Sequence, residues 1–451
     1  MPMKAALLIC ANVAWASTSL ATVHYVNVAN PTPASPYTSW ATAATTIQDA
    51  VEFAIAGDEV WVTNGVYASG GLSSPGGTLA ARLVANGPVT VRSVNGPKVT
   101  AIVGTRASGS LTNGIGAMRS VFLGNGAKLI GFTLTNGATL GITTANPNDQ
   151  MGGGLYGFGN PAGQAENCII VGNSSYSSGG GVSGNVRVYN SLITKNTSHG
   201  GNGGGGAASS YLLNCTVAGN SAHTGGGVSG GSVYNCIVYY NSAATQPDLR
   251  NAWVAQSCVS GGFVYSAGNF TNAPGFINLA AEDYRLETNS PCINSGNNAY
   301  ITNSVDIENA PRIVNGTVDM GAYEFQGSGS MISYLWLQQY GLPTDGSVDF
   351  VDSDGDGHNT WQEWRADTVP TNARSVLRLQ QPFIAGSGIV LRWDKVDTRK
   401  YWIERSTITN GLLNFTTIGT NLSLSSFMDG SYSTISGAFY RVGVEPQVYY
   451  P

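Results

Sequence analysis

Charge is what this sequence has least of. Only 10% of its 451 residues are Asp, Glu, Lys or Arg, against about 25% in an average soluble domain. The balance is slightly acidic, net −5, so the basic footprint of a nucleic-acid binder is missing. Long apolar runs are missing too. After residue 22 none approaches the ~20 residues that span a bilayer, which excludes a polytopic membrane protein. The composition is not that of a coiled coil. Beyond Cys10 there are five cysteines, Cys168, Cys215, Cys236, Cys258 and Cys292, and an odd number does not make a disulfide framework. Apolar residues, by contrast, are plentiful at 42% with 10% aromatics, which excludes a disordered chain. Glycine is in excess, 60 residues, nearly twice the usual ~7%.

The first 21 residues read as a secretory signal. Lys4 supplies the charge and residues 5–16 a short apolar stretch. Small residues suit cleavage after Ala16 or after Ala21. Downstream, charge is uneven. Residues 60–281 carry nine Lys and Arg against three acids, Asp149, Glu166 and Asp248. Residues 282–451 carry eleven against nineteen. A mildly basic body followed by an acidic section suggests separate modules.

The strongest signal is a repeat. NCIIVGNSS from Asn167, NSLITKNTS from Asn190, NCTVAGNSA from Asn214 and NCIVYYNSA from Asn235 share one pattern. SCVSGG, with Cys258, is a degenerate fifth copy. Glycine clusters at Gly179–Gly181, Gly203–Gly206 and Gly225–Gly227 follow the first three. Units of 21–24 residues, each a short β-type run bounded by Asn, Ser and Gly, describe the coils of a parallel β-helix. Residues 60–281 would give about ten coils and a rod of roughly 45 Å at the ~4.8 Å strand spacing. In that fold Asn173, Asn196, Asn220 and Asn241 stack, and their amides can bond along the rod. Cys168, Ser191, Cys215, Cys236 and Cys258 form a column of small residues, expected as free buried thiols because parallel Cβ vectors oppose disulfide geometry. Thr45–Gln48 reads as a capping box. It opens a helix with Ile47, Ala50, Val51, Ala54 and Ile55 on one stripe, suited to plug the end of the solenoid.

At this point the chain resembles the secreted right-handed β-helix proteins of the pectate-lyase-like superfamily, and more narrowly the repeat-rich surface proteins of environmental bacteria. The opening HYVNVANPTPASPYTSWATAATTIQDAVEFAIAGDEVWVTNGVY carries the likeness. So do the NS…GGGVSG repeats, similar to bacterial polymorphic outer-membrane repeats, and the close, Asp283–Phe325. The resemblance covers about residues 22–327. It implies an all-β, right-handed parallel β-helix, and a function drawn from lyases, hydrolases and non-catalytic adhesins.

Hydrolases of this kind need paired carboxylates, and the resemblance implies an acidic calcium cluster for a lyase. The three acids of residues 60–281 are each isolated. Tyr176, His199 and His223 each lie three residues after a column Asn, with Lys195 and Arg187 in the middle coil. A His–Tyr pair could serve as base and acid on a uronic acid. The plainer reading is solvated turn positions, since no acid or metal ligand supports the histidines.

The sharpest chemical motif lies further on. In VDSDGDGHNTWQEW, Asp352, Asp354, Asp356, Gly357 and Glu363 fill every fixed position of a D-x-[DN]-x-[DN]-G-x5-E calcium loop. Calcium takes six to eight oxygens. The three Asp and a bidentate Glu363 supply carboxylates, His358 its backbone carbonyl, and Thr360 its hydroxyl or a water. The surrounding sequence resembles dockerin-like or thrombospondin-type-3-like calcium linkers. It holds one complete loop, with Asp345, Asp349 and Asp367 as possible extras. Beyond it, IVLRWDKV, YWIERS, FTTIG and FYRVGV alternate as strands. Trp393 and Tyr440 resemble the core Trp and corner Tyr of a fibronectin-III-like sandwich. Trp393 and Trp402 are expected in its core rather than on a sugar.

The expected organisation is a signal peptide (1–21), a parallel β-helix with an N-terminal cap helix (22–327), a small calcium-binding helical linker (328–375) and a C-terminal β-sandwich (376–451). The expected function is a secreted or cell-surface protein, non-catalytic, binding polysaccharide or a cell-surface glycan or mediating adhesion. It would hold structural Ca2+, with no nucleic-acid partner and no transmembrane segment once the signal is removed. A polysaccharide lyase or glycoside hydrolase is the alternative.

Overall fold

A computed structural model describes residues 21–451 apart from 109–111, 142–145, 262–267, 387, 397–398, 410–411, 432–437 and 447–451. The signal segment, with Cys10, falls almost wholly outside the described residues.

Residues 23–259 wind through three long sheets, consistent with a β-solenoid. The first sheet has nine strands, all parallel, from Val23–Val26 to Trp253–Ala255. The second has eight parallel strands, from Gly65–Tyr67 to Cys258–Val259. The third also has eight, ending at Leu249–Arg250, and its other edge pair, Leu72–Ser73 with Ala80–Asn86, is antiparallel. One coil shows the plan. Val186–Tyr189 lies in the first sheet, Leu192–Thr194 in the second and Ala207–Ala208 in the third, and Tyr211–Leu213 returns to the first.

Strand alternation drives the winding. Val60, Val91, Leu129, Ala165, Val188, Leu212, Val233 and Val254 point inward from the first sheet and are fully buried in one continuous core. Between the first two sheets the chain must turn sharply. Asn167, Asn190, Asn214 and Asn235 stand there with φ between 47° and 51°, a left-handed conformation that Asn tolerates. Opposite them the glycine clusters pack backbone on backbone. A Cβ on Gly180 would lie 2.4 Å from the Thr197 carbonyl oxygen, so the stack requires glycine.

The asparagine column forms a buried hydrogen-bonded ladder. The Nδ2 of Asn173, Asn196 and Asn220 each donates to the next Oδ1, at 3.0, 3.0 and 2.9 Å. Each backbone N–H of the three donates to that same oxygen at 3.0 Å. Asp248 ends the ladder by accepting from Asn241 Nδ2 at 2.8 Å and N at 2.9 Å.

The small-residue column differs from expectation at its end. Ile237 pairs with Cys258, so Ser257, not Cys258, follows Cys236. The Cys236 N–H donates to Ser257 Oγ at 3.0 Å. The spacing there is 21 residues, and Gln256 takes the left-handed turn in place of Asn. Cys258 faces the other way, into a second apolar cluster with Phe270, Phe276, Tyr284 and Cys292. All five described cysteines are buried free thiols.

A helix, α1 (Ile47–Phe53), places Ile47 and Ala50 in the main core. Its N-cap is Thr46, whose hydroxyl accepts from Asp49 N, rather than Thr45. Gln48 does not reach back to the cap. It is buried and bonds the Val84 backbone, accepting from N at 2.8 Å. Residues 276–326 add no parallel strand; they hold an antiparallel pair and turns packed along the flank. Two short helices follow, α2 (Tyr334–Gln339) and α3 (Thr360–Ala366). Two three-stranded antiparallel sheets then share a core of Leu391, Trp393, Tyr401 and Ile403. No helix among the described residues is long and apolar enough to cross a membrane.

Candidate functional site

Two places gather unsatisfied or exposed functional groups. The first is the acidic loop before α3. Gly355 and Gly357, at φ +79° and +99°, fold it back on Asp352. That carboxylate accepts from Gly355 N at 2.8 Å and Gly357 N at 2.9 Å. The Gly357 bond foremost holds Asp352 below its ordinary pKa. Oxygens of Asp352, Asp354 and Asp356 lie within 4.8 Å of one another. Asn359 caps α3 in a reciprocal capping box with Gln362, and this sets Glu363 in the first helical turn. Glu363 is fully buried. Burial, then repulsion from Asp354, Asp356 and Asp352, pushes it up to about 8.

The oxygens left over decide what the loop can do. Asp354 Oδ2, Asp356 Oδ2 and both Glu363 carboxylate oxygens are buried without a hydrogen-bond partner. Orphaned buried carboxylates are costly unless a cation or proton meets them. Convergent hard oxygens suit calcium, so the residues present fit that ion. Two other expected ligands are tied into the loop. Thr360 Oγ1 donates to the Val351 carbonyl at 3.0 Å, which braces the loop and leaves the oxygen's lone pairs free. His358 is held by its N–H to Asp356 Oδ1 at 2.8 Å. The suggested extras point elsewhere. Asp349 accepts from Ser330 Oγ at 2.6 Å, Asp345 from Ser347, and Asp367 lies 3.8 Å from Arg399.

The second place is the outer face of the first sheet. Strand register aligns Tyr25, Trp61, Arg92, Ile130 and Glu166 in one column. A second column runs Glu59, Thr90, Lys128, Gln164, Arg187, Tyr211, Ser232 and Trp253. Trp40 packs on Tyr25 at 4.5 Å between ring centroids, and Tyr25 on Trp61 at 6.5 Å. The Arg92 guanidinium lies 6.0 Å from the Trp61 ring, and Arg187 lies 5.9 Å from Tyr211. Trp253 is 53% exposed. Glu59 is occupied by the Trp61 indole N–H at 2.6 Å. Sequence spacing hid this face: Trp61 to Arg92 is 31 residues and Ile130 to Glu166 is 36, because the early coils carry insertions. Only the repeats after Asn167 keep a period of 21–24.

Tyr176, His199 and His223 do fall at successive register positions, and both histidines are exposed. Lys195 is ion-paired to Glu282. Arg187 belongs to the first-sheet face, not to the histidine column. Of the three acids between 60 and 281, two serve the backbone. Asp149 is buried and accepts from Thr78 N and Leu79 N, each at 3.0 Å, and Asp248 closes the asparagine ladder. Glu166 remains at the surface. Sequence reasoning also missed the buried Arg119, which bonds Ser74 Oγ at 2.9 Å and the Asn148 carbonyl at 2.7 Å. Its guanidinium lies 4.7 Å from the Tyr156 ring.

No family model matches the chain, and no curated protein matches it.

Proposed function

We propose that this is a secreted, non-catalytic β-helix protein that binds polysaccharide through the outer face of its first sheet. The observation that supports it best is the pair of in-register columns of exposed and half-buried aromatic and cationic side chains on that face. Trp61, Arg92, Lys128, Arg187, Tyr211 and Trp253 stand on strands ~4.8 Å apart. Sugars stack on such rings and hydrogen-bond to such cations. In this reading the coils are right-handed, α1 caps the solenoid, and residues 328–375 form a dockerin-like or thrombospondin-type-3-like linker ordered by Ca2+. Residues 376–451 are a fibronectin-III-like sandwich that serves as a spacer. The buried Trp393 supports a core role there. A lone extracellular loop is expected to bind calcium at about 10⁻⁴–10⁻³ M.

The test is a glycan screen on the full chain with calcium, reading binding and new reducing or unsaturated ends on the same polysaccharides. Binding without product is the expected result. Product formation would overturn the non-catalytic reading in favour of a lyase or hydrolase, and the His199/His223 column would then be mutated first.

A further inference from the structure

One corner of the first-sheet face is built as a socket. Residues 297–305 run back along the turn asparagines and accept from their side-chain N–H groups in order. Asn235 Nδ2 donates to the Asn297 carbonyl at 2.9 Å, Asn214 Nδ2 to Tyr300 at 3.2 Å, and Asn190 Nδ2 to Val305 at 2.8 Å. After Val305 the segment turns away, closed by Asp306 N to the Ala310 carbonyl at 2.8 Å. One coil further on stands Asn167. It has the same left-handed backbone, φ 50°, and is 8% exposed. Its Oδ1 is buried without a partner, like those of Asn190 and Asn214. Its Nδ2 meets no carbonyl among the described residues. Where that carbonyl would be, a groove of about 570 Å³ opens, lined by Trp61, Arg92, Glu166, Asn167 and Asn303.

We propose that this groove seats the terminal units of a neutral pyranose oligosaccharide, an assignment that rests on the glycan-binding reading above. The groups present fit a polyhydroxylated ring. Asn167 Nδ2 needs an acceptor oxygen in place of the fourth carbonyl. Glu166, which accepts from Asn303 Nδ2 at 3.4 Å, takes hydroxyl donors. Arg92 has no hydrogen-bond partner among the described residues and donates to ring or linkage oxygens. Trp61 offers the apolar platform. One guanidinium against one carboxylate leaves the groove without net charge, which favours a neutral sugar over an acidic one. The next position of the column, Tyr189, is buried in a cluster with Tyr234 and Tyr300, so the track ends there. At the other end it continues over Tyr25 and Trp40. From Glu166 to Tyr25 is four strand steps, about 19 Å, room for a short chain whose end enters at Asn167.

The experiment is calorimetric titration of the full, calcium-loaded chain with neutral gluco-, manno- and galacto-tetrasaccharides, beside a galacturonate tetramer. Asn167→Gly keeps the left-handed turn while deleting the amide, and Trp61→Ala deletes the platform. Each is expected to weaken a neutral tetrasaccharide about tenfold or more with an unchanged melting temperature, while Phe158→Ala, at an exposed position of the third sheet, leaves it unchanged. If tetrasaccharide binding survives both groove variants and is lost with Trp253→Ala, the glycan reading stands and this site falls. Preference for the galacturonate tetramer overturns the neutral assignment. If no glycan of any length binds, both readings fall together.

Discussion

Glu363 shows how one residue can be read from sequence and still need a structure to explain it. Its place in the loop followed from spacing alone. Its isolation did not: both carboxylate oxygens are buried and unpaired, and the group is pushed up to about 8 by burial and three aspartates. Glu363→Gln is therefore expected to weaken Tb3+ or Ca2+ binding at least tenfold, read by terbium luminescence, while raising the stability of the cation-free chain, read by melting in EGTA. In the intact chain, calcium is expected to raise the melting temperature by mass action on the folded state. No change with EGTA would leave the loop a mere acidic turn. The brace at Thr360 was less legible: its hydroxyl donates to the Val351 carbonyl, a contact that no spacing rule encodes. Asp349 misled for a similar reason: it ties residues 330 and 331 rather than the loop.

At the scale of the element, the asparagine ladder makes the sharpest demand. Asn196→Leu would take the acceptor from the buried Asn173 backbone N–H and the donor from the Ile170 carbonyl, and would break one rung of the column. On the order of 2–4 kcal/mol should be lost, measurable by urea unfolding. Asp248→Asn should cost under about 1 kcal/mol, because an amide oxygen still accepts from Asn241. Gly180→Ala should cost about 1–3 kcal/mol or prevent folding, since its Cβ would enter the Thr197 carbonyl. The ladder and the glycine corners were visible in sequence because identical residues recur at near-constant spacing where coils are short. Cys258 was misplaced by one position because its coil replaces both Asn and Cys, leaving only the left-handed Gln256 to mark the turn. The outer columns of the first sheet were invisible, since insertions between Trp61 and Glu166 break the period that pairs them.

Across the whole molecule, the segment that closes over the solenoid carries its own pH dependence. Arg312 is buried with Asp306, Asp319 and Glu324, three carboxylates around one guanidinium. Burial, first of all, pushes Asp319 and Glu324 up, and their mutual repulsion adds to it for Glu324. A carboxyl raised on folding stabilises fully below its unfolded pKa and loses that contribution as pH rises through the folded value. The melting temperature should therefore fall as pH is raised from about 5 to 9. Glu324→Gln should flatten the slope, as followed by circular dichroism across that range. A slope that is the same in the variant would place the titration elsewhere.

The ladder also gives the rod a direction of growth. Every junction between Asn173 and Asn241 presents the same pair of donors below and the same acceptor above, so any of these coils can be duplicated or removed and the new seam will match. Asp248 breaks that equivalence: with acceptors only, it can receive a rung but cannot offer one onward. Residues 297–305 limit that freedom. They bond Asn235, Asn214 and Asn190 in order and bring Asn303 to Glu166, so a coil added between Asn167 and Asn235 would be seamless in the ladder yet would carry the groove at Asn167 out of reach of Asn303.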